Sequence, residues 1–106
     1  MSELKNQKCI PCEEGGDPLP NDKVKELLQK VPNWKLDGKK ITRTFEFDDF
    51  KGSLKFVNKV GDEAENQGHH PDFHIHYNKV ILELWTHSMD GLSENDFVMA
   101  AKIDDL

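Results

Sequence analysis

Two segments in which apolar and polar residues alternate constrain the fold of this chain most. The first, residues 34–47, has the sequence WKLDGKKITRTFEF and predicts two short strands around a turn at Asp37-Gly38. The second, residues 73–85, predicts two more strands around a turn at Asn78-Lys79. A lone hairpin with one apolar face is marginally stable in water, so both hairpins are expected to share one antiparallel sheet.

Three helices are predicted around these hairpins. The first has its cap at Asn21 or Asp22, stops at Pro32 and carries apolar residues at the 3.6-residue period, namely Val24, Leu27, Leu28 and Val31. The second follows the caps offered by Asp48 and Asp49, with Phe50, Leu54, Val57, Gly61 and Ala64 at helical spacing. Gly68 is suited to end it in the left-handed conformation.

The third helix opens with a capping-box pattern, Ser93 with Asp96 three residues later, and runs to about Ile103. A possible hydrophobic staple joins Leu92 and Phe97 across this start. The predicted fold is therefore an α+β single domain, a four-stranded antiparallel sheet with three helices covering one face. The elements follow the order helix, hairpin, helix, hairpin, helix.

The first 20 residues differ in character from the rest. With 106 residues the chain has room for one domain, predicted over residues 21–106, behind a flexible N-terminal tail over residues 1–20. The tail holds the only cysteines, Cys9 and Cys12. A structural zinc needs four ligands and no second pair is present, so two reduced thiols are the simpler interpretation, with a disulfide possible after export.

Charge and hydropathy exclude several partners. The chain carries 20 acidic and 14 basic residues, a net charge of −6, and the basic residues form no cluster. A direct nucleic-acid ligand is therefore not expected. No apolar run approaches the roughly 20 residues that cross a bilayer, and the N-terminus is polar, so we expect no membrane partner and a cytoplasmic location.

Histidines concentrate after the second predicted helix, in the stretch GHHPDF at residues 68–73. His69 and His70 lie just past the helix C-terminus, where the helix dipole favours a cation, and Glu65 lies one turn back. A turn at Asn78-Lys79, carried along both strands, would place His70 opposite His87 with Cβ atoms about 5 Å apart. This grouping is typical of general acid and base catalysis.

Each of these residues also has a simpler structural explanation. The capping box accounts for Asp96, and Glu65 could be a solvated helix residue. His74 and His76 alternate in mid-strand and look solvated. The two tryptophans are expected to pack, although Trp85 beside histidines could stack on a flat heterocycle.

Two other classes of function compete with acid–base catalysis. A metal hydrolase is disfavoured, because adjacent histidines are awkward ligands for one ion and neither H-x-E nor H-E-x-x-H occurs. An interaction module fits the small size and the exposed sheet edge, but it does not explain the histidine grouping.

A long string of residues with defined gaps resembles the pterin-4a-carbinolamine dehydratase family. The string is Glu65, three residues, His69-His70-Pro71, five residues, Tyr77, nine residues, His87, eight residues, Asp96. The segments YNKV, TH and GLSENDF support it, and the resemblance runs from about residue 34 to about residue 103. Phe73 stands where the family often has tryptophan.

The resemblance implies a fold, an activity and an assembly. The fold is again four antiparallel strands with three helices, forming a homodimer or homotetramer, with no metal and no cofactor. The activity removes water from 4a-hydroxytetrahydropterins, giving the quinonoid dihydropterin during tetrahydrobiopterin recycling. By matched position, the acid–base and binding residues would be His69, His70 and His87, supported by Glu65, Pro71 and Asp96. Some animal members also act as dimerisation cofactors of a homeodomain transcription factor, and this is the alternative function.

Overall fold

A computed structural model describes residues 18–106 and shows an α+β arrangement in the predicted order. The elements are α1 (Asn21–Leu28), β1 (Lys35–Asp37), β2 (Lys40–Glu46), α2 (Phe50–Gln67), β3 (Asp72–His76), β4 (Lys79–Leu84), a 3₁₀ turn (His87–Met89) and α3 (Glu94–Asp104). The four strands form one antiparallel sheet in the order β1-β2-β4-β3. The predicted fold class is confirmed.

The core lies between one face of this sheet and the helices. Strand β4 is central and buries Val80, Leu82 and Leu84 completely, as the alternating pattern predicts. The helices contribute most of the other buried side chains, among them Val24, Leu27, Val60, Ala64, Phe97, Val98, Met99 and Ile103. Within residues 18–106, no helix covers the opposite face of the sheet, which carries exposed residues such as Thr44, His74 and His76.

Both hairpin turns lie one residue away from their predicted positions. The first turn is Gly38-Lys39, with Gly38 at φ 62°, because Asp37 pairs with Lys40. The second is Tyr77-Asn78, with Tyr77 at φ 51°.

Two hydrogen bonds explain the second shift. The Phe47 N–H donates to the Asn78 carbonyl at 2.8 Å, and Asn78 Nδ2 donates to the Phe47 carbonyl at 3.1 Å. These bonds hold Asn78 against the end of β2, so β4 begins at Lys79. This tertiary contact, and not turn propensity, sets the position of the hairpin.

Helix α1 differs from its prediction at both ends, and its last helical residue is Leu28, four residues before Pro32. Pro20 is the N-cap, in an extended conformation, and its carbonyl accepts from the Lys23 and Val24 N–H groups at 3.0 Å. The chain reaches this point already anchored, since the Leu19 N–H donates to the Leu92 carbonyl at 2.8 Å. Cys9, Cys12 and the rest of the predicted tail up to residue 17 lie outside the described residues.

Helix α2 begins and ends as predicted. The Asp49 carboxylate accepts from the Gly52 N–H at 2.8 Å, and Gly68 ends the helix at φ 65°. The predicted apolar positions do not all face the core, because Phe50 and Leu54 are 44% and 40% exposed. The Phe50 ring instead stacks on Tyr77, with centroids 6.3 Å apart. Over residues 18–106, no helix has the length and apolar character that crossing a membrane requires.

Candidate active site

A histidine paired with a buried carboxylate forms the centre of the candidate site. His69 Nε2 lies 2.6 Å from Asp96 Oδ1. The Asp96 side chain is completely buried and that of His69 is 12% exposed. The left-handed turn at Gly68 and the start of α3 bring the two together across 27 positions of sequence. Both residues belong to the predicted set, and the pairing itself was not predicted.

Thr86 and Ser93 hold the other oxygen of this carboxylate. Asp96 Oδ2 accepts from Thr86 Oγ1 and from the Ser93 N–H, both at 2.9 Å. The two hydroxyls are 2.7 Å apart, and Ser93 also accepts from the Asp96 N–H in the predicted capping box. The box therefore does more than start α3, since it also orients the carboxylate that contacts His69.

Valence fixes the direction of each hydrogen bond in this network. A carboxylate only accepts, so His69 donates from Nε2 and Thr86 donates its hydroxyl proton to Oδ2. The Thr86 oxygen must then accept the proton of Ser93. Neutral His69 consequently carries its hydrogen on Nε2 and has an unprotonated Nδ1, and within residues 18–106 Nδ1 has no hydrogen-bond partner.

A second pair, more exposed, lies beside the first. His70 Nε2 donates to Glu65 Oε1 at 3.1 Å, with the two side chains 56% and 81% exposed. Glu65 lies near the end of α2, and the left-handed turn at Gly68 brings His70 back to it. Pro71, the next residue, is buried. An open pair of this kind is available to contact a ligand.

His87 lies at the start of the 3₁₀ turn that follows β4, and it is exposed. The predicted pairing of His70 with His87 is wrong. The ladder ends at Asp72 opposite Glu83, and the observed register, if continued, would place Trp85 opposite His70. The one-residue displacement of the turn moves every cross-strand partner by two positions, which preserves the faces but changes the pairs.

His87 is connected to the site through its neighbours in the chain. Its ring centroid lies 4.0 Å from that of Trp85, whose Nε1 donates to Asp72 Oδ2 at 3.4 Å. Thr86, the preceding residue, is the one that donates to Asp96. The half-buried Trp85 thus packs on the core at one side and presents its ring to a histidine at the other.

The remaining strand histidines are separate from this network. His74 donates from Nε2 to Glu83 at 2.8 Å on the open face of the sheet, where Lys40 also contacts Glu83 at 3.1 Å. The hydrogen bond from His74, followed by the charge and hydrogen bond of Lys40, lowers the pKa of Glu83 against the opposing effect of burial. His74 and His76 are both exposed as expected, and the pairing of His74 with Glu83 was not predicted.

The structure thus brings His69, Asp96, Thr86 and Ser93 together and links His87 to them through the backbone of Thr86. Sequence reasoning gave Thr86 no role, although the segment TH, which contains it, supports the family resemblance. Within residues 18–106, no three histidine, cysteine, aspartate or glutamate side chains converge as a metal site would require. The arrangement is suited to moving protons, since it fixes one imidazole and leaves one of its nitrogens unbonded.

Comparisons with known proteins identify the family of this chain. Residues 17–106 match the family described as pterin 4 alpha carbinolamine dehydratase. A protein from Chlorobium limicola that carries this family's name is 45% identical, over 96% of this chain and 94% of its own length. One from Rubrobacter xylanophilus is 42% identical over the whole of both chains.

A solved structure extends the likeness to the fold. The crystal structure of a Brucella melitensis protein named transcriptional coactivator/pterin dehydratase has a TM-score of 0.78 and 35% identity, covering 84% of this chain and 97% of that one. Fold and sequence therefore indicate the same family. The chain belongs to the pterin-4a-carbinolamine dehydratase family.

Proposed function

We propose that this protein removes water from a 4a-hydroxytetrahydropterin. The C4a–O bond breaks, the departing hydroxyl takes a proton and leaves as water, and N5 loses its proton as the C4a–N5 double bond forms. The product is the quinonoid dihydropterin. One proton is delivered and one is removed, which is work for imidazoles at neutral pH. The same proposal places the reaction in tetrahydrobiopterin recycling.

The His69–Asp96 pair carries this proposal. Thr86 and Ser93 hold the fully buried carboxylate, which in turn fixes the ring of His69 and keeps a proton on Nε2. The unbonded Nδ1 is then the atom that exchanges a proton with the pterin. A held imidazole avoids the entropic cost of orienting it during the reaction.

His87 is proposed as the second proton-transfer group and His70 as the residue that positions the pterin. His87 is exposed and lies against Trp85, whose ring could stack on the flat pterin. His70 is held by Glu65 at the surface, which suits binding more than chemistry. Glu65, Pro71 and Asp96 have supporting roles in this scheme.

Steady-state kinetics on freshly generated 4a-hydroxytetrahydropterin test these assignments. His69→Ala and His87→Ala are each expected to lower kcat by about 10² to 10⁴, the usual contribution of a positioned acid or base. His70→Ala is expected to raise KM more than it lowers kcat. His76→Ala is the matched control, because His76 is exposed in a strand outside the network. Wild-type turnover by His69→Ala would remove the basis of the proposal.

A chelator experiment separates this function from a metal hydrolase. Dialysis of the purified protein against a strong chelator is expected to leave the dehydration rate unchanged, because the proposed steps use imidazoles alone. Loss of turnover that returns on adding zinc or iron would instead support metal catalysis.

We further propose that the protein works as a homodimer or homotetramer. Several large apolar side chains are exposed in the single chain, including Leu36, Phe50, Leu54, Ile75 and Tyr77. A second copy would remove such groups from water. Sedimentation equilibrium at two loading concentrations tests this, and a monomer at both would contradict it.

The alternative function is a protein-interaction module that serves as a dimerisation cofactor of a transcription factor. Its support is the name of the Brucella melitensis protein, which includes transcriptional coactivator. The exposed apolar side chains of α2 fit such a role equally well. The dehydratase proposal explains more, because an interaction module needs no buried carboxylate aimed at His69.

A further inference from the structure

We infer that Thr86 is a positioning residue that sets the relation between the two candidate catalytic histidines, His69 and His87. It acts through Asp96 on one side and through its own backbone on the other. This inference uses the proposed dehydration for its kinetic readout, and a spectroscopic readout tests it independently.

The side chain of Thr86 connects it to His69. Thr86 is 4% exposed, and its hydroxyl donates to Asp96 Oδ2 at 2.9 Å while accepting from the Ser93 hydroxyl at 2.7 Å. The other oxygen of Asp96 accepts from His69 Nε2. One hydroxyl therefore helps to set the plane of the carboxylate, and that plane sets the direction from which His69 donates.

The backbone of Thr86 connects it to His87. Its N–H donates to the Gly91 carbonyl at 2.8 Å, and its carbonyl accepts from the Met89 N–H at 3.1 Å and the Gly91 N–H at 3.4 Å. These bonds close the short loop that begins with His87. The same residue thus anchors the loop of one histidine and the carboxylate that holds the other.

The hydroxyl, and not the shape of the side chain, is the specific feature here. Thr86 has an extended backbone, φ −107° and ψ 105°, which valine also adopts readily. A buried hydroxyl is unfavourable unless it is hydrogen-bonded, and this one both donates and accepts. A purely structural threonine at this position could be replaced by valine with no effect on His69.

Thr86→Val removes the hydroxyl and keeps the shape. We expect kcat to fall by about 10- to 100-fold with KM changed less than about threefold, because a small misplacement of a catalytic group lowers the rate by this order. Thr86→Ser, which retains the hydroxyl, is expected to keep at least about a third of the wild-type kcat. Thr44→Val on β2 is the matched control, since Thr44 is exposed on the open face of the sheet.

The tautomer of His69 provides a readout that does not need activity. In ¹⁵N-detected imidazole spectra at high pH, wild-type His69 is expected to show a hydrogen on Nε2 and none on Nδ1. In Thr86→Val the two nitrogens are expected to move toward averaged shifts, as the carboxylate loses its orientation. Thr44→Val should give the wild-type spectrum.

The outcomes separate this inference from the proposed function. A wild-type protein without dehydratase activity would overturn the function alone, and the tautomer comparison would still decide the role of Thr86. Equal loss of kcat in Thr86→Val and Thr86→Ser, or a Thr86→Val variant with wild-type kcat and a wild-type His69 spectrum, would overturn the inference. If Thr86→Val does not fold, the wild-type spectrum decides, because a hydrogen on Nδ1 of His69 excludes the network from which the inference is drawn.

Discussion

Replacing Asp96 by asparagine tests the candidate site most directly. Asp96 is completely buried and accepts from His69 Nε2 at 2.6 Å and from Thr86 Oγ1 and the Ser93 N–H at 2.9 Å. Asparagine keeps the shape of the side chain but replaces one accepting oxygen by an NH₂ group. That group must point either at His69 or at Ser93.

The backbone decides between these two orientations. The Ser93 N–H is fixed by the capping box and can only donate, so an NH₂ group facing it would place two donors together. His69 can adapt by moving its proton to Nδ1 and accepting at Nε2. The NH₂ group is therefore expected to face His69, and the nitrogen that was free for the substrate then carries a hydrogen. A wrong tautomer of this kind lowers kcat by about 10² to 10⁴.

The loss of stability in Asp96→Asn can be estimated from the two hydrogen bonds that Thr86 and Ser93 still donate to residue 96. Thr86 and Ser93 would donate to a neutral amide oxygen, where each bond contributes about 1 kcal/mol less than one to a carboxylate. The sum, roughly 2 kcal/mol, corresponds to a fall in melting temperature of about 8 to 16 °C for a domain of this size. The variant is thus expected to remain folded at 25 °C, where the assay can be run.

Glu94→Gln is the matched control for Asp96→Asn. It removes the same charge from the same first turn of α3, but Glu94 is exposed. Circular-dichroism melts and kinetics on both variants separate charge loss from network loss. Wild-type kcat in a folded Asp96→Asn variant would refute the reasoning about the tautomer.

Three further predictions concern the scaffold. Gly68→Ala is expected to lower the melting temperature by about 4 to 8 °C, because a left-handed residue other than glycine costs about 1 kcal/mol. Gly61→Ala is expected to raise the melting temperature slightly, because Gly61 lies within α2 and has open space around its Cβ position. Because the pKa of Glu83 is lowered in the folded state, its contribution to stability is present above the unfolded value of 4.5 and is lost as pH falls through the lower folded value. His74→Ala should therefore reduce the urea-unfolding free energy at pH 7 by less than about 1 kcal/mol, and the difference from wild type should disappear once acid has protonated Glu83 in the folded state. A difference that persists beyond that point would contradict the pairing. Deleting residues 1–17 is expected to leave turnover and melting temperature unchanged, because residues 18–106 hold every side chain of the candidate site, and stoichiometric zinc that is lost on truncation would contradict this.

Local signals predicted much of the scaffold. The cap at Asp49, the left-handed end of α2 at Gly68 and the capping box at Ser93 each depend on residues within a few positions of one another. The alternation in β4 likewise predicted its buried face. Such features are readable from sequence because the interactions that fix them are close in the chain.

Features set by distant contacts were predicted less well. The second turn lies one residue before its predicted position because Asn78 forms hydrogen bonds with Phe47, 31 positions away. The same displacement makes the predicted pairing of His70 with His87 wrong. The contact of His69 with Asp96 spans 27 positions and has no local signature. The candidate residues could be chosen by chemistry and resemblance, but their partners required the fold.

The site and the helix caps of this protein share the same atoms. Gly68 ends α2 and directs the chain so that His69 meets Asp96, while Ser93 and Asp96 start α3 and hold the carboxylate. Any substitution in these caps therefore acts on folding and on the candidate chemistry together, and a lower rate alone cannot assign a catalytic role here. Pairs that differ in one hydroxyl or one carboxylate oxygen, such as Thr86→Val with Thr86→Ser, separate the two effects because they change the network while leaving the backbone of the caps intact.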